Sequence, residues 1–261
     1  MRTRWIRRHT TFREQEELGV LKRPAYAYGL LRAADIARYF GYEQTTVCEF
    51  GVASGDGLLA MITLAGRVSA ETGVRFRIVG FDTGTGLPAP VGYKDHPEIW
   101  SAGDYPMLPG AKLAERIRGR AELVLGDIRE TVQPFLASLD TAMPLGFIVV
   151  DVDIYTSAKH SLMCLLGRPQ QYHPAVSIYF DDVGHFFANR WCGELAAIDE
   201  FNAANDHRKI DRDRSRRHLQ NGWFDGMYVC HMLDHPSRNA ADLHRPVKIK
   251  AGGNLPPGVL D

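Results

Sequence analysis

Residues 47–57 read Val-Cys-Glu-Phe-Gly-Val-Ala-Ser-Gly-Asp-Gly, an apolar run that ends in a glycine-rich loop. Glycines at such a point let the backbone turn sharply and let a ligand approach the main chain closely. The glycine spacing fits neither the GxGxxG dinucleotide fingerprint nor the Walker loop, which requires Gly-Lys-Ser/Thr. The stretch therefore predicts a strand, a tight turn and a helix, and the turn serves either a ligand or the fold alone.

Acidic residues close a series of short apolar runs further along the chain. They are Asp82, Asp127, Asp151 with Asp153, and Asp181 with Asp182. Each predicted strand would place its acid at the carboxyl edge of one parallel sheet, which is where open α/β sheets bind ligands. The alternation of strands and helices predicts a doubly wound α/β fold with a mostly parallel sheet and a late antiparallel strand.

Hydrophobic periodicity gives the approximate bounds of these elements. Helices are predicted over 26–39, 56–68, 111–117, 129–139, 157–166 and 194–204, and strands over 45–51, 75–82, 122–127, 145–153, 176–182 and 227–233. The Gly/Pro-rich stretch 83–109 is too long for a plain connection, so we predict a lid there and call it the lid segment. The mixed-charge run 207–218 predicts a solvated loop. We expect a charged N-terminal arm over 1–23, a single domain over 24–250 and a C-terminal tail over 251–261.

Composition narrows the class of protein. The formal net charge of +0 over 261 residues argues against nucleic acid as the main partner. The four cysteines are far apart, which indicates reduced thiols rather than a disulfide framework. The N-terminus lacks the apolar core of a secretory signal, and no apolar run is long enough to span a membrane. We therefore expect a cytoplasmic protein that does not bind a membrane.

Five motifs together carry a resemblance to a known family. They are EFGVASGDG (49–57), GFDTGTGLP (80–88), GDI (126–128), VVDVDIYTSAKHSL (149–162) and YFDD (179–182). In this order they resemble class I S-adenosylmethionine-dependent methyltransferases. More narrowly, they look like the macrocin O-methyltransferase (TylF-like) family, which methylates sugar hydroxyls of natural products. The resemblance spans about half of the chain and implies a Rossmann-like methyltransferase fold with S-adenosylmethionine as cofactor.

The resemblance also implies a set of cofactor contacts. They are Glu49, Gly51, Gly55, Gly57, Asp82, Thr83, Asp127, Ile128 and Asp151. At the end of the second strand Asp82 can accept both hydroxyl hydrogens of a ribose. Asp127 could hold the adenine amino group, directly or through a neighbour, although a role in its own turn is nearly as plausible.

The acids that follow the fourth and fifth predicted strands suggest a metal site next to the cofactor. Asp151 and Asp153 lie two apart on a predicted strand, so their side chains should leave the same face. Carboxylates that converge with Asp181 and Asp182 would repel one another without a cation, and hard oxygen ligands suit Mg²⁺ or Ca²⁺. The resemblance implies that Asp151, Asp181 and Asp182 bind a divalent metal, normally Mg²⁺, with Asp153 as general base.

Methyl transfer to a sugar hydroxyl would use such an arrangement. A metal lowers the pKa of a coordinated oxygen, and a nearby carboxylate takes the proton as that oxygen attacks the sulfonium methyl. His185 is a second catalytic candidate, with an ordinary loop histidine as the alternative. Asp182 could instead cap the segment that follows it.

The predicted function is a metal-assisted O-methyltransferase for a hydroxylated small molecule, a sugar or glycosylated natural product, acting as a homodimer. One alternative is an NAD(P)-dependent oxidoreductase, because Tyr155 and Lys159 have YxxxK spacing. Another is a catalytically inactive scaffold, since fold does not guarantee function.

Overall fold

A single seven-stranded sheet of order β3-β2-β1-β4-β5-β7-β6 organises the protein. The computed structural model describes residues 9–107, 110–215 and 222–239. The strands are β1 Gln44–Phe50, β2 Arg75–Asp82, β3 Glu122–Leu125, β4 Leu145–Val150, β5 Tyr172–Phe180, β6 Arg208–Arg212 and β7 Met227–Met232. Strands β1 to β5 are parallel, whereas β7 runs antiparallel to both β5 and β6. This confirms the predicted doubly wound, mostly parallel sheet with a late antiparallel strand.

Helices cover both faces of this sheet. They are α1 Phe12–Glu17, α2 Pro24–Phe40, α3 Asp56–Thr72, α4 Gly110–Ile117, α5 Ile128–Ser138, α6 Tyr155–Ser161, α7 Gly193–Ala204 and α8 Pro236–Asn239. Successive strand residues point to opposite faces, so β1 sends Val47 into the layer with α2 and α3 and Cys48 into the layer with α5 and α6. Every residue of β4 is buried, as expected for a central parallel strand. No helix in the described ranges is long and apolar enough to cross a membrane.

Within the charged run 207–218, residues 208–212 form a strand instead of the predicted solvated loop. Residues 208–212 form β6, which pairs with β7 and buries Ile210. The guanidinium of Arg208 is also buried, and it donates to the carbonyl oxygens of Leu165 and Gly167. Its charge is balanced by the Asp234 carboxylate at 3.1 Å, so Arg208 can lie inside a strand that its sequence does not suggest.

Part of the N-terminal arm is packed against the domain. Helix α1 buries Phe12, and the Arg13 guanidinium pairs with Asp35 of α2 and Glu71 of α3. Residues 1–8, residues 216–221 and the tail from 240 onward lie outside the described residues. Within the predicted arm 1–23, helix α1 is therefore part of the packed domain.

Two polar contacts anchor the lid segment to the helices beneath it. The buried Asp95 accepts hydrogen bonds from the Val91 N–H at 2.8 Å and from the N–H and hydroxyl of Thr156 at 2.7 and 2.8 Å. Beside it, the Lys94 ammonium lies 2.5 Å from a Glu200 carboxylate oxygen of α7. The lid segment is thus fixed at 91–95 before it returns to the carboxyl edge of the sheet.

Candidate functional site

A cavity of about 360 Å³ lies at the carboxyl edge of the sheet, where the acids were predicted. Eight of the nine residues predicted to contact the cofactor line it, and all four acids of the second group do so as well. The eight are Glu49, Gly51, Gly57, Asp82, Thr83, Asp127, Ile128 and Asp151. The arrangement matches the expectation that parallel strands deliver their last residues to one edge.

Two glycines of the loop after β1 are required by close packing. Gly51 has φ +88°, and a Cβ there would lie 1.6 Å from the Asp151 carbonyl oxygen. Gly55, the predicted residue that does not line the cavity, begins α3 at φ +85°, and a Cβ there would meet Leu113 at 2.4 Å. Gly51 therefore lets the ends of β1 and β4 converge, and Gly55 lets α4 pack on the loop.

The Asp82 carboxylate holds the glycine loop in place. One oxygen accepts the N–H groups of Val52 at 2.9 Å and Ala53 at 2.8 Å, and the other accepts the Gly84 N–H at 2.7 Å. A carboxylate offers about four acceptor sites, so about one is left for a ligand. Contact with both ribose hydroxyls stays a prediction, and the structure adds a loop-ordering role that the sequence did not reveal.

Glu49 is a buried carboxyl group on the cavity wall. The Tyr26 hydroxyl donates to Oε1 at 2.5 Å, whereas Oε2 has no partner among the described residues. Burial, with smaller contributions from Asp151 and Asp82, raises the pKa of Glu49 to about 8, although the bond from Tyr26 opposes the shift. A buried carboxyl with one free oxygen suits a cationic or hydrogen-bond-donating part of a ligand.

The acids after β4 and β5 form the other half of the cavity. Burial raises the pKa of Asp151 to about 7, of Asp153 to about 8 and of Asp182 to about 6, and repulsion from neighbouring acids adds to each shift. Asp181 accepts a hydrogen bond from the Tyr179 hydroxyl at 2.7 Å. Carboxyl groups this basic can accept a proton near neutral pH.

Asp153 does not lie on a strand, which corrects the same-face argument. Strand β4 ends at Val150, and the Ile154 N–H closes a tight turn onto the Val152 carbonyl at 2.6 Å. Asp153 lies inside that turn with φ +62°, a conformation that costs free energy for any residue but glycine. The turn, rather than the two-residue period of a strand, brings Asp153 to the cavity wall.

A further acid, the buried Glu194, lies beside Asp182. Its Oε2 accepts the Asp182 N–H at 3.0 Å, while Glu194 Oε1 and Asp182 Oδ2 are buried without partners in the described part of the chain. In the sequence Glu194 is an ordinary acidic residue in the first turn of a helix. Only the packing of α7 against the end of β5 identifies it.

The predicted metal ligands share the cavity, but they are not assembled around a point. No group of three or more His, Cys, Asp or Glu side chains in the described ranges is arranged to hold a metal ion. The carboxylate donors of Asp151, Asp181 and Asp182 are nevertheless of the kind that Mg²⁺ prefers, and Asp182 Oδ2 is free. The metal site stays a prediction.

Aromatic rings from the lid segment line the cavity together with the acids. Trp100 and Tyr105 line it, with ring centroids 6.0 Å apart. The His185 ring lies behind them, 6.3 Å from Trp100 and 5.1 Å from His96, and is not itself a lining residue. His185 Nδ1 accepts the Phe187 N–H at 3.1 Å, and burial lowers the pKa of the ring. Its predicted catalytic role is therefore left without support from the geometry.

Comparison with solved structures identifies this architecture. CalS11, a calicheamicin methyltransferase, matches with a TM-score of 0.54 and 22% identity, covering 88% of this chain and 90% of that one. The O-methyltransferase NovP matches with a TM-score of 0.53 and 18% identity, covering 80% of each chain. This chain has the Rossmann-like methyltransferase fold. No family model and no curated protein matches the sequence.

Within the methyltransferase fold, Asp127 begins α5 as its N-cap. Its carboxylate accepts the Arg129 N–H at 2.8 Å and pairs with the Arg129 guanidinium, which lowers the pKa of Asp127. Capping occupies much of its acceptor capacity, and Ile128 beside it supplies an apolar wall. The position of the pair at the end of β3 agrees with the predicted adenine pocket, and its contact with a cofactor stays a prediction.

The YxxxK pair that favoured an oxidoreductase serves another purpose in this methyltransferase fold. The Tyr155 hydroxyl donates to Glu200 at 2.6 Å, and the Lys159 ammonium lies 2.8 Å from the same carboxylate. Neither residue lines the cavity. The pair joins α6 to α7, so the spacing that suggested dehydrogenase chemistry has a structural explanation.

Two residues at the start of α2 were missed by the sequence analysis. Tyr26 bonds Glu49, and Arg23 lines the cavity. The sequence does contain one indirect signal, since an acid that begins a glycine loop at a buried strand end needs a hydrogen-bond partner. It does not show where in the chain that partner lies.

Proposed function

We propose that the protein is an S-adenosylmethionine-dependent O-methyltransferase that uses Asp153 as general base on a hydroxyl of a sugar or glycosylated natural product. One observation carries the proposal. In a methyltransferase fold, the glycine loop with Glu49 and the basic carboxylates of Asp151 and Asp153 line one cavity. Fold alone would not suffice, because function depends on the site.

The cofactor half of the cavity matches the parts of S-adenosylmethionine. Glu49, with a free buried oxygen, suits the ammonium group of the methionine moiety. Asp82 keeps one acceptor site for a ribose hydroxyl, and Ile128 offers an apolar surface for the adenine.

The acid half supplies the base. The hydroxyl oxygen of the acceptor attacks the methyl carbon as the carbon–sulfur bond breaks, and the hydroxyl proton passes to Asp153. S-adenosylhomocysteine leaves as a neutral thioether, so charge is conserved when Asp153 becomes neutral. Burial and the neighbouring acids raise the pKa of Asp153 to about 8, so its carboxylate is a strong base once it has lost its proton.

A divalent cation belongs to the proposal as an assisting group. Asp151, Asp181 and Asp182 would hold it, and a bound cation lowers the pKa of a coordinated hydroxyl. Burial raises the pKa of Asp151 and repulsion from Asp181 and Asp182 adds to the shift; a cation would relieve that repulsion, which supports this assignment.

Aromatic side chains around the acid half support a glycosylated acceptor. Trp100 and Tyr105 line the cavity where a sugar ring would stack. Outside it, Phe186 is 94% exposed and Trp191 is 69% exposed, which suits an acceptor with a large apolar part. The similarity of fold to a calicheamicin methyltransferase agrees with a natural-product acceptor.

Calorimetric titration with S-adenosylhomocysteine, with NADH as the control ligand, tests the cofactor assignment. We expect binding of the first and none of the second, with and without millimolar Mg²⁺. Methyl transfer from labelled S-adenosylmethionine to matched glycosides and aglycones, with and without EDTA, then tests the acceptor and the metal. Binding of NADH but not of S-adenosylhomocysteine would overturn the proposal. Sedimentation tests the homodimer that we also expect.

A further inference from the structure

Arg23 is the one arginine or lysine side chain among the described residues that line the cavity. The other ionisable side chains that line the cavity are carboxyl groups or the phenol of Tyr105. No salt bridge or side-chain hydrogen bond joins its guanidinium to another described residue. Arg23 therefore offers a complete set of donors to whatever occupies the cavity.

The backbone of Arg23 is strained. It has φ +53° and ψ +61° at the N-cap of α2, without a side-chain capping bond, and it precedes Pro24. A residue before proline is normally extended, and left-handed geometry is unfavourable for an arginine. Strain of this kind persists where the surrounding structure imposes it, and it concentrates at ligand sites.

Arg23 and Glu49 meet across one side chain. The guanidinium carbon lies 5.4 Å from the centroid of the Tyr26 ring, and the hydroxyl of that ring bonds Glu49 at 2.5 Å. The cation is close enough to act on Glu49 and Asp151 electrostatically, yet it makes no ion pair with either. Tyr26 thus keeps the guanidinium and the Glu49 carboxyl group apart, and it leaves the guanidinium and Oε2 of Glu49 without a hydrogen-bond partner among the described residues.

This spacing suits a zwitterion. In an α-amino acid the ammonium and the carboxylate are bonded to one carbon, so their protein partners must be neighbours of opposite charge. We propose that Arg23 binds the carboxylate of the methionine moiety of S-adenosylmethionine, while Glu49 receives the ammonium group of the same moiety. The inference rests on the proposed function and deepens it by assigning a specificity residue for the amino-acid end of the cofactor.

A comparison of two ligands that differ in the carboxylate alone tests the assignment. S-adenosylmethionine and its decarboxylated form are titrated calorimetrically into the wild type, Arg23→Met, Arg23→Lys and the control Lys22→Met, which changes the adjacent exposed cation. We expect Arg23→Met to weaken S-adenosylmethionine binding about 10- to 100-fold, as for the loss of a charge-assisted hydrogen bond. Binding of the decarboxylated form should stay the same, and Arg23→Lys should restore part of the difference.

The outcomes separate this inference from the proposed function. If the wild type binds S-adenosylmethionine and Arg23→Met weakens both ligands equally, or neither, the carboxylate assignment is wrong while the cofactor stands. A variant that binds both cofactors normally but has a raised KM for the acceptor would place an acceptor anion at Arg23 instead. If the wild type binds neither adenosyl ligand, the proposed function fails and the inference fails with it. Melting temperatures of all four proteins show whether each variant is folded.

Discussion

Adding one methyl group at Gly57 tests how tightly the first turn of α3 packs against the Glu49 carboxyl. A Cβ at Gly57 would lie 2.0 Å from Glu49 Oε1 and 2.8 Å from the Tyr26 hydroxyl oxygen. Neither distance is tolerable, so in Gly57→Ala the carboxyl must turn away or the helix must shift. A carboxyl that turns away breaks the bond between Tyr26 and Glu49.

The size of the effect follows from three contributions. Overpacking a buried site costs about 1–3 kcal/mol. Loss of the bond to a buried carboxyl costs about 1–3 kcal/mol. The preference of a helix for alanine over glycine returns about 0.5–1 kcal/mol. We expect a net loss of about 2–4 kcal/mol in the free energy of unfolding.

Gly66→Ala is the matched control because Gly66 lies on the same helix with no atom within 4 Å of an added Cβ. This variant should gain about 0.5–1 kcal/mol. Thermal and urea unfolding of both variants and the wild type provide the measurement. For a chain of this length each kcal/mol shifts Tm by about 2–4 °C, so Gly57→Ala should melt several degrees below Gly66→Ala.

A second substitution assigns the clash. Tyr26→Phe removes the hydroxyl, so in the double variant with Gly57→Ala part of the damage is already done and the two losses should not add. Equal melting temperatures for Gly57→Ala and Gly66→Ala would refute the packing argument. Full additivity of Gly57→Ala and Tyr26→Phe would show that the methyl group acts elsewhere.

Three further predictions concern the two halves of the cavity and the lid segment. With a pKa of about 8, above the usual range for a glutamic acid, Glu49 is protonated at pH 7, and its contribution to stability is lost as pH rises from about 4.5 toward 8. The charged and titratable groups around Glu49 are Arg23, Tyr26, Asp82 and Asp151. Binding of an ammonium ligand at pH 7 should release about 0.9 proton from Glu49, which calorimetry in buffers of different ionisation enthalpy measures. The Glu49→Gln variant should release fewer protons on binding the same ligand. Asparagine tolerates the positive φ of position 153, so Asp153→Asn should leave Tm and the affinity for S-adenosylhomocysteine unchanged while it lowers kcat about 10²- to 10⁴-fold. An unchanged kcat would exclude Asp153 as the general base. Asp95→Ala leaves the Val91 and Thr156 donors unpaired, so we expect the free energy of unfolding to fall by about 1–3 kcal/mol and the KM for the acceptor to rise. A weaker cofactor affinity with an unchanged acceptor KM would show that the lid segment does not contact the acceptor.

The order of elements and the position of the acids could be predicted from the sequence. Strand β2 has the predicted bounds, and β1, β3, β4 and β7 differ from theirs by no more than three residues at either end. These features are local, because hydrophobic periodicity and glycine turns act over a few residues. The carboxyl ends of parallel strands share one edge of the sheet, so the location of Asp82 and Asp151 at the same edge could be predicted without knowing how the side chains pack.

Side-chain directions past the strand ends were decided by tertiary structure. Asp153 reaches the cavity through a turn with positive φ, which a two-residue period does not describe. Likewise β6, whose own composition favours a loop, pairs with β7, and its Arg208 donates to distant carbonyl oxygens and pairs with Asp234.

The partners of the buried acids lie far away in the sequence and could be found in the fold alone. Tyr26 and Glu49 are 23 residues apart, and Asp95 and Thr156 are 61 apart. The sequence by itself determined that this protein brings acids and a glycine loop to one sheet edge, because those signals are short-range. Tertiary structure decided which acids are buried, paired or free, because desolvation and hydrogen bonding depend on every neighbour in space.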